Sequence, residues 1–237
     1  KVIHNPSLYK WAIKQASYVI THSKNMTQDA IENYNLPEEK SVTIPAFINK
    51  KYFETTLPTH RPKNNFLFVG RLSWEKNITS LLFAIQKIKK NNDTIHLTIV
   101  GDGNLSPSLH DLTNKLDLSE NITFIPNTDN IEDIHHTATV LVLPSFFEGF
   151  SLASAEALAN GLPVIAYDTA AGPVDFHQNE NGYIVPLQDK NAFLSAMEKA
   201  LDNNWDPQAI RKTVEFLHPN IVGKAYSDFI QEFIKQK

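Results

Sequence analysis

Short apolar runs alternate with segments of helical periodicity between residues 66 and 201, and this alternation restricts the fold more than any other feature of the sequence. The apolar runs are continuous, as is typical of parallel strands that are covered on both faces. Between the first two runs, Ile78, Leu81, Leu82 and Ile85 recur at helical spacing, which predicts an amphipathic helix. We therefore expect an α/β fold with a doubly wound, Rossmann-like parallel sheet. The six predicted strands are Phe66–Val69, Ile95–Val100, Ile122–Ile125, Thr139–Leu143, Pro163–Tyr167 and Tyr183–Val185.

The segments between the later strands also have helical patterns. In the predicted helix Ser151–Asn160, Ser151 is the predicted N-cap, and Gly161 lies just beyond the helix end. Ligands of doubly wound sheets bind at the carboxyl ends of the strands, so the residues that follow each strand are candidates for a functional site. The further predicted helices are Leu105–Leu116, Ile131–Thr137, Ser151–Asn160 and Asp189–Leu201.

The two ends of the chain have a different organisation. Residues 1–57 contain only two short strands and two helices, a core that is marginal by itself, and we interpret them as the last elements of an upstream domain. Because the chain starts with Lys1 and not with Met, we expect it to begin within a longer protein. Residues 58–204 are expected to form the α/β domain, and residues 205–237 to form helices that pack back toward the N-terminal part. The predicted terminal elements are helix Leu8–Ala16, strand Tyr18–Thr21, helix Asn25–Tyr34, strand Ser41–Ile44 and helices Gln208–Leu217 and Ile221–Lys237.

Composition excludes several classes of protein. The chain has 22 Lys and Arg residues against 26 Asp and Glu residues, a formal net charge of −4, which argues against a nucleic-acid partner. It contains no cysteine, which excludes disulfides, zinc-thiolate sites and a cysteine nucleophile. Its apolar runs are too short for a transmembrane segment, so we expect a soluble protein.

A glycine turn with two cations follows the first strand of the predicted sheet. Gly70 and Arg71 come directly after Val69, and Lys76 lies just before the next helix. Arginine can contact two phosphate oxygens, lysine supplies a compact charge, and glycine allows close approach of the backbone. This pattern is compatible with a diphosphate site, although solvated loop cations remain the alternative.

The loop after the fourth strand leads into another candidate site. Glu148 and Gly149 lie in this loop, and the predicted helix starts near Ser151. The first amide groups of a helix lack intrahelical acceptors, so the N–H groups of Phe150, Ser151 and Leu152 would form an anion site. Taken by itself, Glu148 could equally be an ordinary loop carboxylate.

Glu156 stands out within the same predicted helix. Its neighbours are almost all alanine and leucine, so the helix is too apolar to be solvated all round. A carboxylate in such a helix needs a dedicated partner. The alternative is a surface glutamate that pairs with a nearby lysine.

Together, these motifs resemble those of the family-four retaining glycosyltransferases, in which two Rossmann-like domains face each other across a cleft (the GT-B architecture). Asn77 stands where that family commonly has glycine. The similar stretches occur in the family's order: 68–72 with Glu75 and Lys76, 100–103, 148–157, 161–165, Gly172 with Pro173, and 181–186.

The resemblance implies roles for the candidate residues in a nucleotide-sugar donor site. Arg71 and Lys76 would hold the donor diphosphate, with Gly70 allowing its close approach, and Glu148 would contact hydroxyl groups of the donor sugar. The amides of Gly149, Phe150, Ser151 and Leu152 would complete the sugar and phosphate site, and Glu156 would bind the ribose.

The implied activity is transfer of a sugar from a nucleotide diphosphate, most simply a UDP-sugar, to a glycan, lipid-linked or protein acceptor. The resemblance also implies an acceptor domain, of which only the last elements lie in this chain. Polysaccharide biosynthesis would place the protein in the cytoplasm, with a peripheral location at the inner face of the cell membrane as an option. Two other functions stay open, namely a non-catalytic module that binds nucleotide sugars, and an epimerase or phosphorylase of the same architecture.

No cofactor and no metal ion are expected. The sequence lacks an Asp-x-Asp pattern and a His-Glu-x-x-His pattern, either of which would indicate a divalent metal site. His135 and His136 are adjacent and would point to different faces of a helix, so we expect them at the surface rather than on a metal.

Overall fold

The N-terminal part of the chain forms a small α/β unit. A computed structural model describes residues 6–169 and 171–235. Helix α1 (Pro6–Gln15) precedes strand β1 (Val19–Thr21), helix α2 (Lys24–Tyr34) and strand β2 (Ser41–Thr43). β1 and β2 pair in parallel, and the helices cover them with a small apolar cluster of Ile13, Ala30 and Leu36. The predicted strands and helices of this part are confirmed within a residue or two.

A six-stranded sheet dominates the rest of the molecule. Its strands are β3 (Asn65–Val69), β4 (His96–Val100), β5 (Ile122–Ile125), β6 (Val140–Leu143), β7 (Val164–Tyr167) and β8 (Gly182–Val185). The helices are α3 (Lys51–Glu54), α4 (Ile78–Lys89), α5 (Ser106–Lys115), α6 (Ile131–His136), α7 (Leu152–Ala159), α8 (Lys190–Asp202), α9 (Pro207–Lys212) and α10 (Pro219–Lys235). The predicted α/β fold is confirmed.

The strand order places two loops side by side. The sheet has the order β5-β4-β3-β6-β7-β8, and every pair in it is parallel. From β3 the chain moves outward to β4 and β5, and it then crosses back to β6 and continues to β7 and β8 on the other side. The direction therefore reverses between β3 and β6, which is where ligands of such sheets bind. The loop after Val69 and the loop after Leu143 border this crevice.

Burial explains why the strands are recognisable in the sequence. Phe66, Leu67 and Phe68 of β3 have no exposed surface, and Val140 and Leu141 of β6 have none either. Both faces of the sheet are covered by helices, so successive residues are apolar regardless of the face to which they point. The same core extends to Ile48 and Tyr52 before the sheet and to Leu217 after it. The expected domain boundary at residues 57 and 58 stays a prediction.

Helix α7 differs from the sequence prediction at its start and agrees with it at its end. Ser151 occupies the N-cap position, but it has a left-handed backbone (φ 60°), and its hydroxyl lies 2.9 Å from the hydroxyl of Ser154 rather than capping an amide. The predicted N-cap position is therefore confirmed, but the Ser151 side chain does not accept a hydrogen bond from the helix. At the other end, Gly161 has a φ of 64°, and the N–H groups of Gly161 and Leu162 donate to Leu158 and Ala157, a Schellman motif.

The C-terminal segment also departs from prediction in one place. Instead of one helix over 208–217, the chain forms α9, and then a 3₁₀ turn at Glu215–Leu217. Helix α10 returns to the N-terminal unit, where Phe229 and Phe233 pack edge-on against Tyr18 with ring centroids 5.4 and 5.6 Å apart. Among the described residues, no helix is long and apolar enough to cross a membrane.

Candidate functional site

The loops after β3 and β6 are joined directly and enclose a cavity of about 370 Å³. The amide of Phe146 donates to the carbonyl of Glu75 at 2.8 Å, and the Asn77 side chain donates to the carbonyl of Pro144 at 3.1 Å. Asn77 has a left-handed backbone (φ 52°), which explains why a residue such as glycine or asparagine is favoured there. The predicted site residues that line the cavity are Gly70, Arg71, Lys76, Glu148, Gly149, Ser151 and Leu152.

Lys76 and Glu148, which both line this cavity, form an ion pair. Lys76 Nζ lies 2.8 Å from Glu148 Oε1, and the same oxygen accepts a hydrogen bond from Ser145 Oγ at 2.7 Å. The side chains are 20% and 8% exposed, respectively, so the pair is largely shielded from water. The charge of Lys76 is thus neutralised by Glu148.

Arg71 adds a second positive charge at the exposed edge of the cavity. Next to it, Glu75 accepts a hydrogen bond from Ser73 Oγ at 2.6 Å. This hydrogen bond, with help from Arg71 and Lys76, keeps the pKa of Glu75 below its usual range. The arrangement leaves the Arg71 guanidinium in position to contact an anion that enters from solvent.

A third loop supports Glu148 from behind. Gly172 has a φ of 80°, and a Cβ atom there would lie 2.8 Å from Glu148 Cβ and 2.9 Å from the carbonyl oxygen of Gly149. Only glycine fits this close approach without displacing the Glu148 loop. The Gly172 amide donates to Asp175 Oδ2 at 2.8 Å, and Asp175 in turn hydrogen-bonds with Ser23 at the start of α2.

Phe150 is the predicted site residue whose side chain faces away from the cavity. Its ring packs on Phe176 and on His22, with centroid distances of 5.7 and 6.2 Å. His22 belongs to the N-terminal unit, so this contact links that unit to the Glu148 loop. Sequence reasoning missed His22, because nothing in the local pattern around it indicates a contact with a loop more than a hundred residues away.

Glu156 lies one helical turn beyond Leu152 on α7, on the same face, and it is half-buried outside the cavity lining. Burial raises its pKa, and Tyr52 opposes that shift. Tyr52 of α3 lies close enough to this carboxylate to affect its pKa, and sequence reasoning did not identify it. The expected dedicated partner of Glu156 stays a prediction.

Arg61 is a second residue that the sequence did not reveal. Its Nη1 donates to the carbonyls of His135 and Ala138 at 2.7 and 3.2 Å, and its Nε donates to Gly161 at 3.1 Å. Its Nη2 donates to the carbonyl of Asn160. One guanidinium therefore satisfies the C-terminal carbonyls of both α6 and α7, and this burial lowers the pKa of Arg61 to about 10.

The expected surface position of the histidine pair is wrong for His135. It is fully buried, whereas His136 is half-buried. Burial beside Arg61 lowers the pKa of His135 to about 3, and the Asn160 side chain lies 3.1 Å from His135 Nδ1. The short helix α6 turns His135 into the core. Over residues 6–169 and 171–235, no three His, Asp or Glu side chains converge as a metal site would require.

The cavity thus combines two cations, a shielded carboxylate and a helix start at the switch point of a parallel sheet. The family model for glycosyl transferases group 1 matches residues 53–215, which include all of these features. The chain belongs to this family. The match begins at Phe53, before the first strand of the large sheet, and ends at Glu215 in the final 3₁₀ turn.

Individual relatives agree with this assignment. The chain is 32% identical over 190 residues to the O-antigen chain mannosyltransferase of Salmonella typhimurium, covering 78% of this chain and 51% of that protein. It is 29% identical over 207 residues to an uncharacterized glycosyltransferase of Methanocaldococcus jannaschii, covering 81% and 52%. This chain thus spans about half the length of the curated relatives that it matches.

Solved structures show the same fold. The pneumococcal O-GlcNAc transferase, determined with UDP and GlcNAc, superposes with a TM-score of 0.83 at 19% identity, over 98% of this chain and 48% of that one. At this identity the likeness concerns the fold alone.

Proposed function

We propose that this chain is the donor-binding half of a retaining glycosyltransferase that takes its sugar from a nucleoside diphosphate, most simply a UDP-sugar. The observation that carries the proposal is the convergence of Arg71, Lys76 and Glu148 on one cavity at the switch point of the sheet. The glycosyltransferase family and the UDP bound to a solved relative of the same fold support it.

The two cations would act on the leaving group. As the glycosidic bond to the diphosphate breaks, negative charge accumulates on the phosphate oxygens while the sugar becomes oxocarbenium-like. Lys76 lies inside the cavity and Arg71 at its edge, so they can neutralise that charge from two sides. By analogy with other preorganised donors, loss of one of them would cost roughly 3 to 4 kcal/mol of transition-state stabilisation.

Among the cavity residues that the structure describes, none is an evident base or nucleophile, which favours retention of configuration. Glu148 is paired with Lys76 and Ser145, so its role is better matched to binding sugar hydroxyls than to attacking the sugar. We expect the departing phosphate to accept the proton of the acceptor hydroxyl on the same face of the sugar. With Lys76 and Arg71 supplying the positive charge, the reaction would need no metal ion and no cofactor.

Glu156 would complete the nucleotide site. Its place one turn beyond Leu152 puts it farther along the same helix face, where the ribose of a diphosphate bound at the helix start would lie. An ionised carboxylate can accept hydrogen bonds from two neighbouring hydroxyl groups. The acceptor, a glycan or a lipid-linked or protein glycoconjugate, would bind mainly to the upstream half of the protein.

Calorimetric titration of the chain with UDP, GDP, ADP and UDP-sugars tests the donor site directly. We expect one nucleotide to bind, with loss of binding in the Arg71→Ala, Lys76→Ala double variant and unchanged binding in EDTA. A folded chain that binds none of these ligands would contradict the proposal. Normal sugar transfer by the double variant in the complete protein would refute the proposed role of the cations, and EDTA-sensitive binding would refute metal independence.

A further inference from the structure

The loop that follows β4 (residues 101–103, the β4 loop) packs directly against the loop that carries Arg71 (residues 70–72, the β3 loop). β3 and β4 pair in parallel with Val69 opposite Val100, so the two strands end at the same level and their loops leave the sheet side by side. The amide of Gly70 donates to the carbonyl of Val100 at 3.0 Å, which extends the pairing into the loops. The β4 loop is therefore the immediate neighbour of the candidate phosphate site.

Two glycines allow the backbones of these loops to touch. A Cβ atom at Gly101, whose φ is 138°, would overlap the carbonyl oxygen of Gly70. A Cβ atom at Gly103 would overlap the carbonyl oxygen of Leu72 and lie 2.7 Å from its amide nitrogen. Because these neighbours are backbone atoms, a change of side-chain rotamer cannot relieve the clash. Any larger residue at position 103 would therefore displace the β3 loop at the residue next to Arg71.

Hydrogen bonds hold the β3 loop in this contact. The amide of Leu72 donates to the carbonyl of Asp102 at 2.9 Å, and its carbonyl accepts from the amide of Leu105 at 3.0 Å. The Leu72 side chain is buried in the core, so it is fixed as well. Asp102 is in turn tied to the loop after β5, since its Oδ2 accepts a hydrogen bond from the amide of Asn127 at 3.2 Å. The backbone that follows Arg71 is therefore held by the β4 loop.

The Arg71 side chain depends on this backbone for its place at the cavity edge. Arg71 is exposed, and an exposed arginine has many rotamers, so the position of its backbone decides which of them reach the cavity.

We infer that the β4 loop positions Arg71 for the diphosphate: Gly103 allows the loop to support the backbone of Leu72, and Asp102 ties the loop to its other neighbour. The inference rests on the proposed donor site and adds to it two residues that need not touch the ligand.

Calorimetry with UDP on the full chain tests the inference through a double-mutant cycle of Gly103→Ala and Arg71→Ala. The φ of Gly103 lies outside the left-handed region, so Gly103→Ala acts through its clash with Leu72 and not through backbone strain. Gly223→Ala in α10 is the matched control, because a Cβ atom there meets nothing within 4 Å. We expect Gly103→Ala to bind UDP about tenfold more weakly, as for the loss of a hydrogen bond between charged groups, and Gly223→Ala to bind like the wild type.

The Arg71→Ala chain separates positioning from a general loss of structure. When Arg71 is already alanine, adding Gly103→Ala should change the UDP affinity by less than about twofold, because the guanidinium that it displaces is gone. A folded Gly103→Ala chain that binds UDP like the wild type, or that loses the same factor with and without Arg71, overturns the inference while the proposed donor site stands. Wild-type affinity of Arg71→Ala would instead refute the proposed role of Arg71 itself. If no nucleoside diphosphate binds the folded wild type, the proposed donor site fails as well.

Asp102→Ala decides the question if Gly103→Ala does not fold. Asp102 is exposed, so its replacement leaves the core and the contact between the two loops in place and removes only the tie to Asn127. We expect UDP to bind this variant about threefold more weakly, the value of a modest hydrogen bond, with no further loss when Arg71 is also alanine. In that case, wild-type UDP affinity of Asp102→Ala, or an equal loss with and without Arg71, overturns the inference.

Discussion

Substitutions of the two members of the Lys76–Glu148 pair should lower the stability of the chain by different amounts. Lys76→Met leaves a carboxylate that is 8% exposed with Ser145 as its remaining partner. Breaking a buried pair costs about 3–5 kcal/mol, and because Lys76 is one-fifth exposed we expect about 2–3 kcal/mol of lost unfolding free energy. Glu148→Gln keeps the shape of the side chain and an oxygen that accepts from both partners, so it should cost only about 1 kcal/mol.

Ligand binding should separate the two variants further. A diphosphate competes with Glu148 for Lys76, so Lys76→Met should weaken UDP binding by at least about tenfold, the value of one charged hydrogen bond. Glu148→Gln releases Lys76 from its ion pair, and UDP should then bind at least as tightly as to the wild type. The same variant should lose any advantage of a UDP-sugar over UDP, because the sugar hydroxyls lose their carboxylate acceptor.

Urea unfolding gives the stabilities, and calorimetry with UDP and UDP-sugars gives the affinities. Lys89→Met is the matched control, since Lys89 lies 3.8 Å from a fully exposed Asp117 and should change neither quantity by more than about 0.5 kcal/mol. If Glu148→Gln weakens UDP as much as Lys76→Met does, the two groups do not compete, and the reasoning is wrong.

Three further changes test other parts of the structure. Arg61→Lys should lower the unfolding free energy by about 3 kcal/mol, because one ammonium group cannot serve four carbonyls at once, and urea unfolding would measure it. Gly172→Ala should cost about 1–3 kcal/mol and weaken UDP-sugar binding in calorimetry, because φ is 80° and the new Cβ would displace Glu148. The pKa of His135 is about 3 in the folded chain, which is lower than in the unfolded chain, so acidification favours the unfolded state. The unfolding free energy measured in urea should fall by about 2 kcal/mol between about pH 7.5 and pH 5. His135→Gln should remove that fall. Unfolding free energies unaffected by these substitutions or by this pH change would contradict the corresponding contacts.

The sheet was predictable because its central strands, such as β6 and β7, are buried on both faces. A continuous run such as Phe66–Val69 requires no knowledge of distant residues, and the glycine turn that follows is visible beside it. The same holds for Gly161, whose place at the end of α7 follows from local backbone chemistry. The cavity residues were predictable for a related reason, since parallel strands bring their carboxyl ends to one edge.

Residues that act through long-range contacts were not predictable. Tyr52 influences the pKa of Glu156, and Arg61 donates to carbonyls at the ends of α6 and α7, in each case across more than seventy residues of chain. Neither belongs to a periodic pattern that sequence alone could interpret. The prediction that both histidines lie at the surface failed for His135. Adjacent side chains of a helix do point to different faces, but one of those faces of α6 packs into the core, and His135 lies on it. The hydroxyl of Ser151 hydrogen-bonds with the hydroxyl of Ser154 and not with a backbone amide of α7, and the sequence alone does not distinguish these two partners.

The Lys76–Glu148 ion pair affects which ligands the cavity can bind. A free phosphate that binds Lys76 would leave the Glu148 carboxylate buried without its cation. The free energy lost at Glu148 would offset most of the free energy gained between the phosphate and Lys76. A nucleotide sugar brings an anion for Lys76 and hydroxyl groups for Glu148 together, so both side chains exchange one partner for another. Pyrophosphate should therefore bind the wild type poorly and the Glu148→Gln variant better, which titration can measure. Equal pyrophosphate affinity in the two proteins would show that the pair does not select for an intact donor.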